Sequence, residues 1–483
     1  MQTDGVPDVL WVCLSEFIAQ NTGLHFPPER RSDLQRGFTA AAAEFGFADS
    51  ARCADWLLSA PLTRPQLHTL ASHLTVGETY FFRDRKTFDA LAQYILPELL
   101  RHRRGREQRL RLWSAACSTG EEPYSLAILL QQLLPDWRDW AITILATDIN
   151  PRSLQKAAAG VYGEWSFRES PARFRDRYFT RTRDGRFAVA PHIRDCVTFA
   201  PMNLAQDCFP SLATDTNAMD VIFCRNVLMY FTPAHARKVV ENLCSALTDD
   251  GWLAVSPAEC SQALFSRFVA ANFPDCILYR KCSVEERSST WTPAQSGATP
   301  ECTDWALGVP QLSTPEVAIA AQTQPVSSGT PSAPLQTEQR PQALSHLART
   351  LANQGNLADA LVWSERWINA DKVNPAAHYI HAMVLQETGE CAAARRSLDR
   401  AVYLQPDFAL AHFALGNLAR AESRSSAANR HFANALHVLR SCPSDQPLPE
   451  SEGMTAGRLM EIITTVLALP HEPLEATSNG KRE

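Results

Sequence analysis

Residues 112–129, LWSAACSTGEEPYSLAIL, decide how the rest of this chain is read. An apolar strand, Leu110 to Ala116, breaks at Ser118-Thr119-Gly120 and resumes as a helix opening with Glu121, Glu122 and Pro123. A strand running through a small-residue turn into a helix leaves free backbone N–H groups at the helix start, a common seat for nucleotide-like ligands. Two carboxylates there repel phosphate but complement the positive end of the helix dipole. They suit a ligand that carries a cationic group and hydroxyls.

Asp148, at the end of the second apolar strand, is the next anchor. In doubly wound folds a carboxylate at that place accepts hydrogen bonds from both hydroxyls of a ribose. The first turn holds a single glycine, whereas close approach of a pyrophosphate needs several. A ligand with a ribose and an α-amino group but no phosphate satisfies both anchors, and S-adenosylmethionine is such a ligand. Spacing alone also allows a capped structural helix at Glu121-Glu122 and an ordinary capping role for Asp148, the less favoured of the two readings.

Outward from these anchors, residues 86–283 alternate strands and helices. Helix Phe88–Leu100 precedes the first strand, and helix Glu121–Leu134 follows it. Strand Ala141–Ala146, helix Pro151–Ala159 and strands Cys196–Ala200 and Met219–Cys224 come next. Helix Pro233–Leu247, the turn Asp249-Asp250-Gly251, strand Trp252–Ser256 and two strands within Leu264–Lys281 complete the pattern. This order predicts an α/β fold with a doubly wound, Rossmann-like, mostly parallel sheet and an antiparallel edge. Between Gly160 and Arg194, Tyr178–Thr180 and Arg186–Val189 flank Asp184-Gly185 as a β-hairpin, an inserted antiparallel subdomain serving as a flap or a docking edge. Arg225 and Asn226 follow the apolar fourth strand at a carboxyl end, where open α/β sheets bind ligands, and Tyr230 stands four residues beyond Asn226. Asn203 and Leu204 follow the preceding strand, where an adenine could be held.

The first 70 or so residues show helical apolar periodicity, with Asp49-Ser50 as a helix cap. This small helical domain reads as a docking module or as a lid on the next unit. Between them, VGETYFFRD (76–84) sets Thr79 and Arg83 around Tyr80, Phe81 and Phe82. It reads as a hydrophobic joint, or as a hinge placing Thr79 and Arg83 over a ligand. Ser288 to about Arg340 is rich in Ser, Thr, Pro and Gln and reads as a disordered linker. Beyond it Ala360, Ala394 and Ala428 recur at a spacing of 34, as do Gly355 and Gly389. That is the period of tetratricopeptide repeats, an all-α solenoid, with a last helix Ala456–Leu469 as its cap.

A net charge of −6 gives no global case for nucleic acid, and no apolar run is long enough to span or insert in a membrane. The 13 cysteines form no C-x-x-C pair and no metal-ligand spacing, so reduced thiols in a cytoplasmic protein without a metal are expected.

VGETYFFRD, WSAACSTGEEPYSLA, ATDIN, MNL and DVIFCRNVLMYF occur in order, within a match that covers roughly residues 10–283. Together they resemble the CheR-type protein-glutamate O-methyltransferases of bacterial chemosensory systems, and the repeat tail is similar to a known variant of that family. The resemblance implies a division into a helical domain at 1–85, a methyltransferase domain at 86–283 with its β insertion at about 160–195, and a linker at 284–340. Repeats would occupy 341–442, and a capping helix and tail 443–483. It implies S-adenosylmethionine contacts at Thr79, Arg83, Glu122, Asp148, Asn203, Leu204, Arg225 and Asn226, with Gly77 standing where chemotaxis members often carry an Asn. Arg83 and Tyr230 would face the reacting centre as catalytic residues. The substrate implied is the cytoplasmic domain of a chemoreceptor, whose glutamates become methyl esters, and the repeats would bind a further protein. A non-catalytic repeat scaffold and a methyltransferase for another acceptor are the alternatives. Second-helix basic residues that dock the receptor in those members are replaced here by Thr39–Gly46, with Arg30, Arg31 and Arg36 remaining, and the hairpin loop Arg181–Arg186 is short.

Overall fold

The computed structural model describes residues 7–282 and 341–468, except positions 106, 171, 354 and 452. The expected linker and the final tail lie outside the described residues.

Among the described residues ten strands form in chain order: β1 Arg109–Ala115, β2 Ala141–Asp148, β3 Val161–Tyr162, β4 Phe179–Arg181, β5 Phe187–Val189, β6 Val197–Pro201, β7 Met219–Phe223, β8 Leu247–Ala254, β9 Phe268–Phe273 and β10 Cys276–Lys281. Seven build one sheet in the order β6-β2-β1-β7-β8-β10-β9. From β6 to β8 the neighbours are parallel, and β10 runs antiparallel between β8 and β9. This is the doubly wound sheet with an antiparallel edge that the alternating pattern predicts. Strand β1 is buried along its whole length, as a central parallel strand covered on both faces must be. Its alternate side chains feed two cores. Leu110 and Leu112 join helices Arg85–Arg103 and Glu121–Leu133, while Trp113 and Ala115 join helix Pro233–Ala246.

Chain order turns about β1: β2 and β6 lie to one side, β7 and β8 to the other. Such a reversal opens a crevice at the carboxyl ends of the strands. The β1–β2 register runs from Arg109 opposite Ala141 to Ala115 opposite Thr147, which sets the turn after β1 beside Asp148.

Two details depart from the sequence reading. Asp249-Asp250-Gly251 does not precede the strand but kinks within β8, where the register against β7 shifts between Met219 and Val221. A Cβ on Gly251 would stand 2.9 Å from the Thr248 carbonyl, so the kink needs glycine. The rim insertion gains a third strand, for the short β3 pairs with β5 in a separate sheet of order β3-β5-β4.

Four N-terminal helices, Asp8–Thr22, Arg31–Glu44, Ser50–Leu58 and Arg64–Leu74, pack around Leu14, Ile18, Phe38, Leu57 and Leu70. The Asp49 carboxylate caps the third by accepting from the Ala51 N–H at 2.9 Å. After the fourth, the chain crosses to the sheet through the aromatic segment. Phe81 is wholly buried, stacked on Phe167 at 5.0 Å and edge-on to Phe179 at 4.9 Å. The aromatic trio thus holds the crossing against the insertion.

The C-terminal region is helical hairpins: Pro341–Asn353 with Leu357–Ala370, Pro375–Glu387 with Cys391–Leu404, and Ala409–Ala421 with Ser425–Arg440. First helices start at 341, 375 and 409, which is the 34-residue period in three dimensions. Gly355 and Gly389 turn each hairpin at φ +80° and +85°, and Ser423 takes the same left-handed turn at +57° in the third. Helix Ala456–Ala468 packs on the last hairpin and also reaches the sheet edge at β6. Glu387 ties the second repeat to the sheet, accepting from Arg109 at 3.2 Å and Asn217 at 2.6 Å. Among the described residues no helix is long and apolar enough to cross a membrane, and no cluster could hold a metal ion.

Candidate functional site

The carboxyl ends of β1, β2, β6 and β7 open on a cavity whose other side is the N-terminal helical unit. Of the residues singled out in the sequence, Gly77, Asp148, Asn203, Leu204, Asn226 and Tyr230 line it.

The turn after β1 is tightly wound. Ala116, Ser118 and Gly120 all have positive φ, at +66°, +50° and +93°. A Cβ on Gly120 would stand 2.8 Å from Ala157 Cβ and 3.0 Å from the Tyr162 hydroxyl, so only glycine fits. The turn aims the Ser118 N–H at Asp148 Oδ2, 2.8 Å away, while the Asn150 N–H donates to Oδ1 at 2.8 Å. Burial pushes the Asp148 carboxyl up, and these backbone bonds act against that rise. Beside it the Ser118 hydroxyl is buried at the cavity wall with no hydrogen-bond partner among the described residues. A buried hydroxyl without a partner is costly and marks a place where a bound polar group would complete the site.

Glu121 and Glu122, one feature in the sequence, separate in the structure. Glu121 turns to the insertion, accepting from Ser166 at 2.9 Å and Thr119 at 2.7 Å. Glu122 turns to the head of the sheet, accepting from Ser114 at 2.8 Å and from Arg225 Nη1 at 3.3 Å. Arg225 also donates to Asp84 at 3.1 Å. Burial raises the Glu122 carboxyl; the nearby charges of Arg225 and Arg83 and the Ser114 bond oppose that rise.

Thr79, Arg83, Glu122 and Arg225 do not line the cavity itself. Arg83 donates to the Glu78 carbonyl at 2.5 Å and lies 5.9 Å from the Tyr80 ring. Asn203 lines it mainly by its place in the chain, because its amide donates away to Asn21 O at 2.7 Å and its N–H to Asp207 at 2.6 Å. Asn226 sits in the left-handed region at φ +58°, its N–H held by Glu259 Oε2 at 2.8 Å. The same carboxylate accepts from Val227 N–H at 2.7 Å.

Tyr230 faces Arg30, whose guanidinium lies 5.0 Å from its ring centre and 5.2 Å from that of Phe26. Sequence reasoning missed His25, Phe26, Ser118 and Glu259 here. Arg30 stood out only as one of three nearby basic residues. Asp84 lay inside the quoted aromatic segment without a role.

The donor set fits S-adenosylmethionine. Asp148 could accept from a ribose and Ser118 could bond a polar group, while Met202, Leu204, Val227 and Phe231 give the cavity apolar walls. A family described as the CheR methyltransferase SAM binding domain matches residues 77–270. The chain is 35% identical over 216 residues to chemotaxis protein methyltransferase 2 of Vibrio cholerae, covering 45% of this chain and 73% of that protein. Against chemotaxis protein methyltransferase 1 of Pseudomonas aeruginosa it is 37% identical over 213 residues, 43% of this chain and 74% of that one. A probable biofilm formation methyltransferase of Pseudomonas aeruginosa, WspC, is 30% identical over 360 residues, 72% of this chain and 81% of its own length.

Proposed function

The chain belongs to the CheR family of S-adenosylmethionine-dependent methyltransferases, and from that premise we propose that it esterifies glutamate side chains in the cytoplasmic domain of a chemoreceptor. The observation that carries the reading is the Ser118–Asp148 corner at the switch point of the sheet, a carboxylate fixed by a backbone N–H beside a hydroxyl in need of a partner.

In this reading Asp148 holds the ribose, Leu204 and Asn203 border the base, and Glu122 answers the α-amino group. Arg225 opposes the rise that burial causes at Glu122 and holds the carboxylate in place. Gly77 and Asn226 border the remainder of the cofactor, and we assign Thr79, two residues past Gly77 and outside the cavity wall, to its edge. The bound cofactor supplies an electrophilic methyl group activated by a sulfonium charge.

A substrate glutamate, with an ordinary pKa of about 4.3, enters already ionised at neutral pH. Transfer of the methyl group to its oxygen would form an O–C bond as the S–C bond broke, with no proton to move and no general base required. What remains for the protein is alignment and exclusion of water. Arg83 and Tyr230 would hold the second carboxylate oxygen and so aim the first. We assign the tetratricopeptide array to recruitment of a protein partner.

Incubation with methyl-labelled S-adenosylmethionine and a chemoreceptor cytoplasmic domain tests this. Label that enters the receptor and leaves as volatile methanol under mild base supports the glutamyl ester. Label that survives mild base points to another acceptor.

A further inference from the structure

Two charged residues on the C-terminal capping helix Ala456–Ala468 grip opposite walls of the cavity. Arg458 Nη2 donates to the Pro201 carbonyl at 2.8 Å and to Asp207 Oδ2 at 2.5 Å. That same Asp207 oxygen accepts the Asn203 N–H at 2.6 Å. Pro201 ends β6, and the three residues after it, Met202, Asn203 and Leu204, form one wall of the cavity. Arg458 therefore holds both ends of the short segment that builds this wall.

One turn further along, Glu461 accepts from Arg64 Nη1 at 2.5 Å and bonds His68 Nε2, and it also pairs with Arg458. Arg64 and His68 belong to the helix Arg64–Leu74, whose end runs directly into Thr75, Val76 and Gly77 on the facing wall. A single helical turn thus joins the wall behind β6 to the wall behind the N-terminal unit.

These groups are largely out of water: side-chain exposure is 14% for Arg458, 14% for Asp207 and 7% for Glu461. Buried ion networks add little net stability but fix geometry, and losing one member leaves its partners buried and unpaired. The apolar face of the helix already secures it to the array through Leu459 and Ile463.

We infer that Arg458 and Glu461 are positioning residues for the cofactor, so that the repeat-bearing unit completes the methyltransferase pocket instead of hanging beside it. The inference rests on the methyltransferase reading above. A consequence is that any partner shifting the capping helix would alter cofactor affinity through these two residues.

The test uses the full chain with Arg458→Met, which keeps the aliphatic stem and removes the donors. The Kd for S-adenosylhomocysteine and the KM for S-adenosylmethionine should each rise about tenfold, with kcat at saturating cofactor unchanged, the pattern of lost uniform binding. Arg458→Lys should recover part of the affinity. Adding Asp207→Asn to Arg458→Met should cost less than the two single losses summed, since both act through one contact. Should Arg458→Met fail to fold, Glu461→Gln carries the same expectation from the opposite wall. Wild-type affinity in folded Arg458→Met, or a fall in kcat with KM unchanged, overturns the inference. Absence of S-adenosylhomocysteine binding by the wild-type chain would instead overturn the methyltransferase reading beneath it.

Discussion

Glu122 and Arg225 meet across the head of the sheet at 3.3 Å, one at the start of the helix after β1 and the other just past the end of β7. The pair spans the line where the chain order reverses, so it couples the two halves of the fold at the site. Arg225 keeps a second partner in Asp84 at 3.1 Å. Glu122→Ala should weaken binding of S-adenosylhomocysteine by about tenfold or more, the range for losing a hydrogen bond to a charged group. Calorimetry checks it, and unchanged affinity removes Glu122 from the site.

Tyr230→Phe separates holding a carboxylate from packing. The ring would still face Arg30, at 5.0 Å in the parent, so the cavity edge should persist. Only the hydroxyl is lost. We expect kcat to fall about ten- to a hundredfold with the KM for S-adenosylmethionine little changed, as for an interaction made chiefly at the reacting centre. Steady-state kinetics that show KM rising instead would make Tyr230 a cofactor contact alone.

Much of this architecture was legible beforehand because it rests on local pattern. Strand–helix alternation, the Asp49 cap and the 34-residue period each depend on residues close in sequence. The parting of Glu121 from Glu122 was not legible, since a helix start says nothing about which neighbour waits on each side. It is Ser166, on the insertion, that claims Glu121. Glu259 was hidden for the same reason: it braces Asn226 from 33 residues away. The grip of Arg458 on the Pro201–Asp207 segment spans about 250 residues and leaves no periodic trace. The bulge in β8 resembled a turn because Asp-Asp-Gly serves both, and only pairing with β7 distinguishes them.

Gly120→Ala should destabilise the chain by about 1–3 kcal/mol, the scale for a side chain forced into a left-handed turn. Its φ of +93° and the 2.8 Å approach to Ala157 leave no relaxed place for a methyl group. Denaturant unfolding measures the loss, and a neutral substitution would contradict the local geometry.

Ser423→Gly should have the opposite sign. Ser423 stands at φ +57° where the first two repeats use Gly355 and Gly389. A non-glycine residue in that region costs about 1–2 kcal/mol, so relief of about 1 kcal/mol is expected after the unfolded chain gains freedom. Unfolding of the repeat region, followed by circular dichroism, reads the change; a loss of stability would contradict it.

Acid should loosen the C-terminal docking. Burial works against the charge of Glu461, but the His68 bond and the Arg458 and Arg64 guanidiniums outweigh it and hold the carboxyl at about 2. A folded-state value below the unfolded one of about 4.3 means stability that is present above that pH and lost as pH falls toward 2. Wild type should therefore lose stability between about pH 5 and 2 more steeply than Glu461→Gln. Parallel denaturation curves at stepped pH provide the check, and identical slopes would contradict the assigned pairing.

The central claim is that this chain methylates receptor glutamates. Tandem mass spectrometry of a chemoreceptor cytoplasmic domain, after incubation with the protein and S-adenosylmethionine, tests it most directly. The account predicts a gain of one CH2 unit on glutamate residues, dependent on both protein and cofactor and removed by mild base. A receptor left unmodified by protein that binds S-adenosylhomocysteine, or methyl groups confined to other side chains, would contradict it.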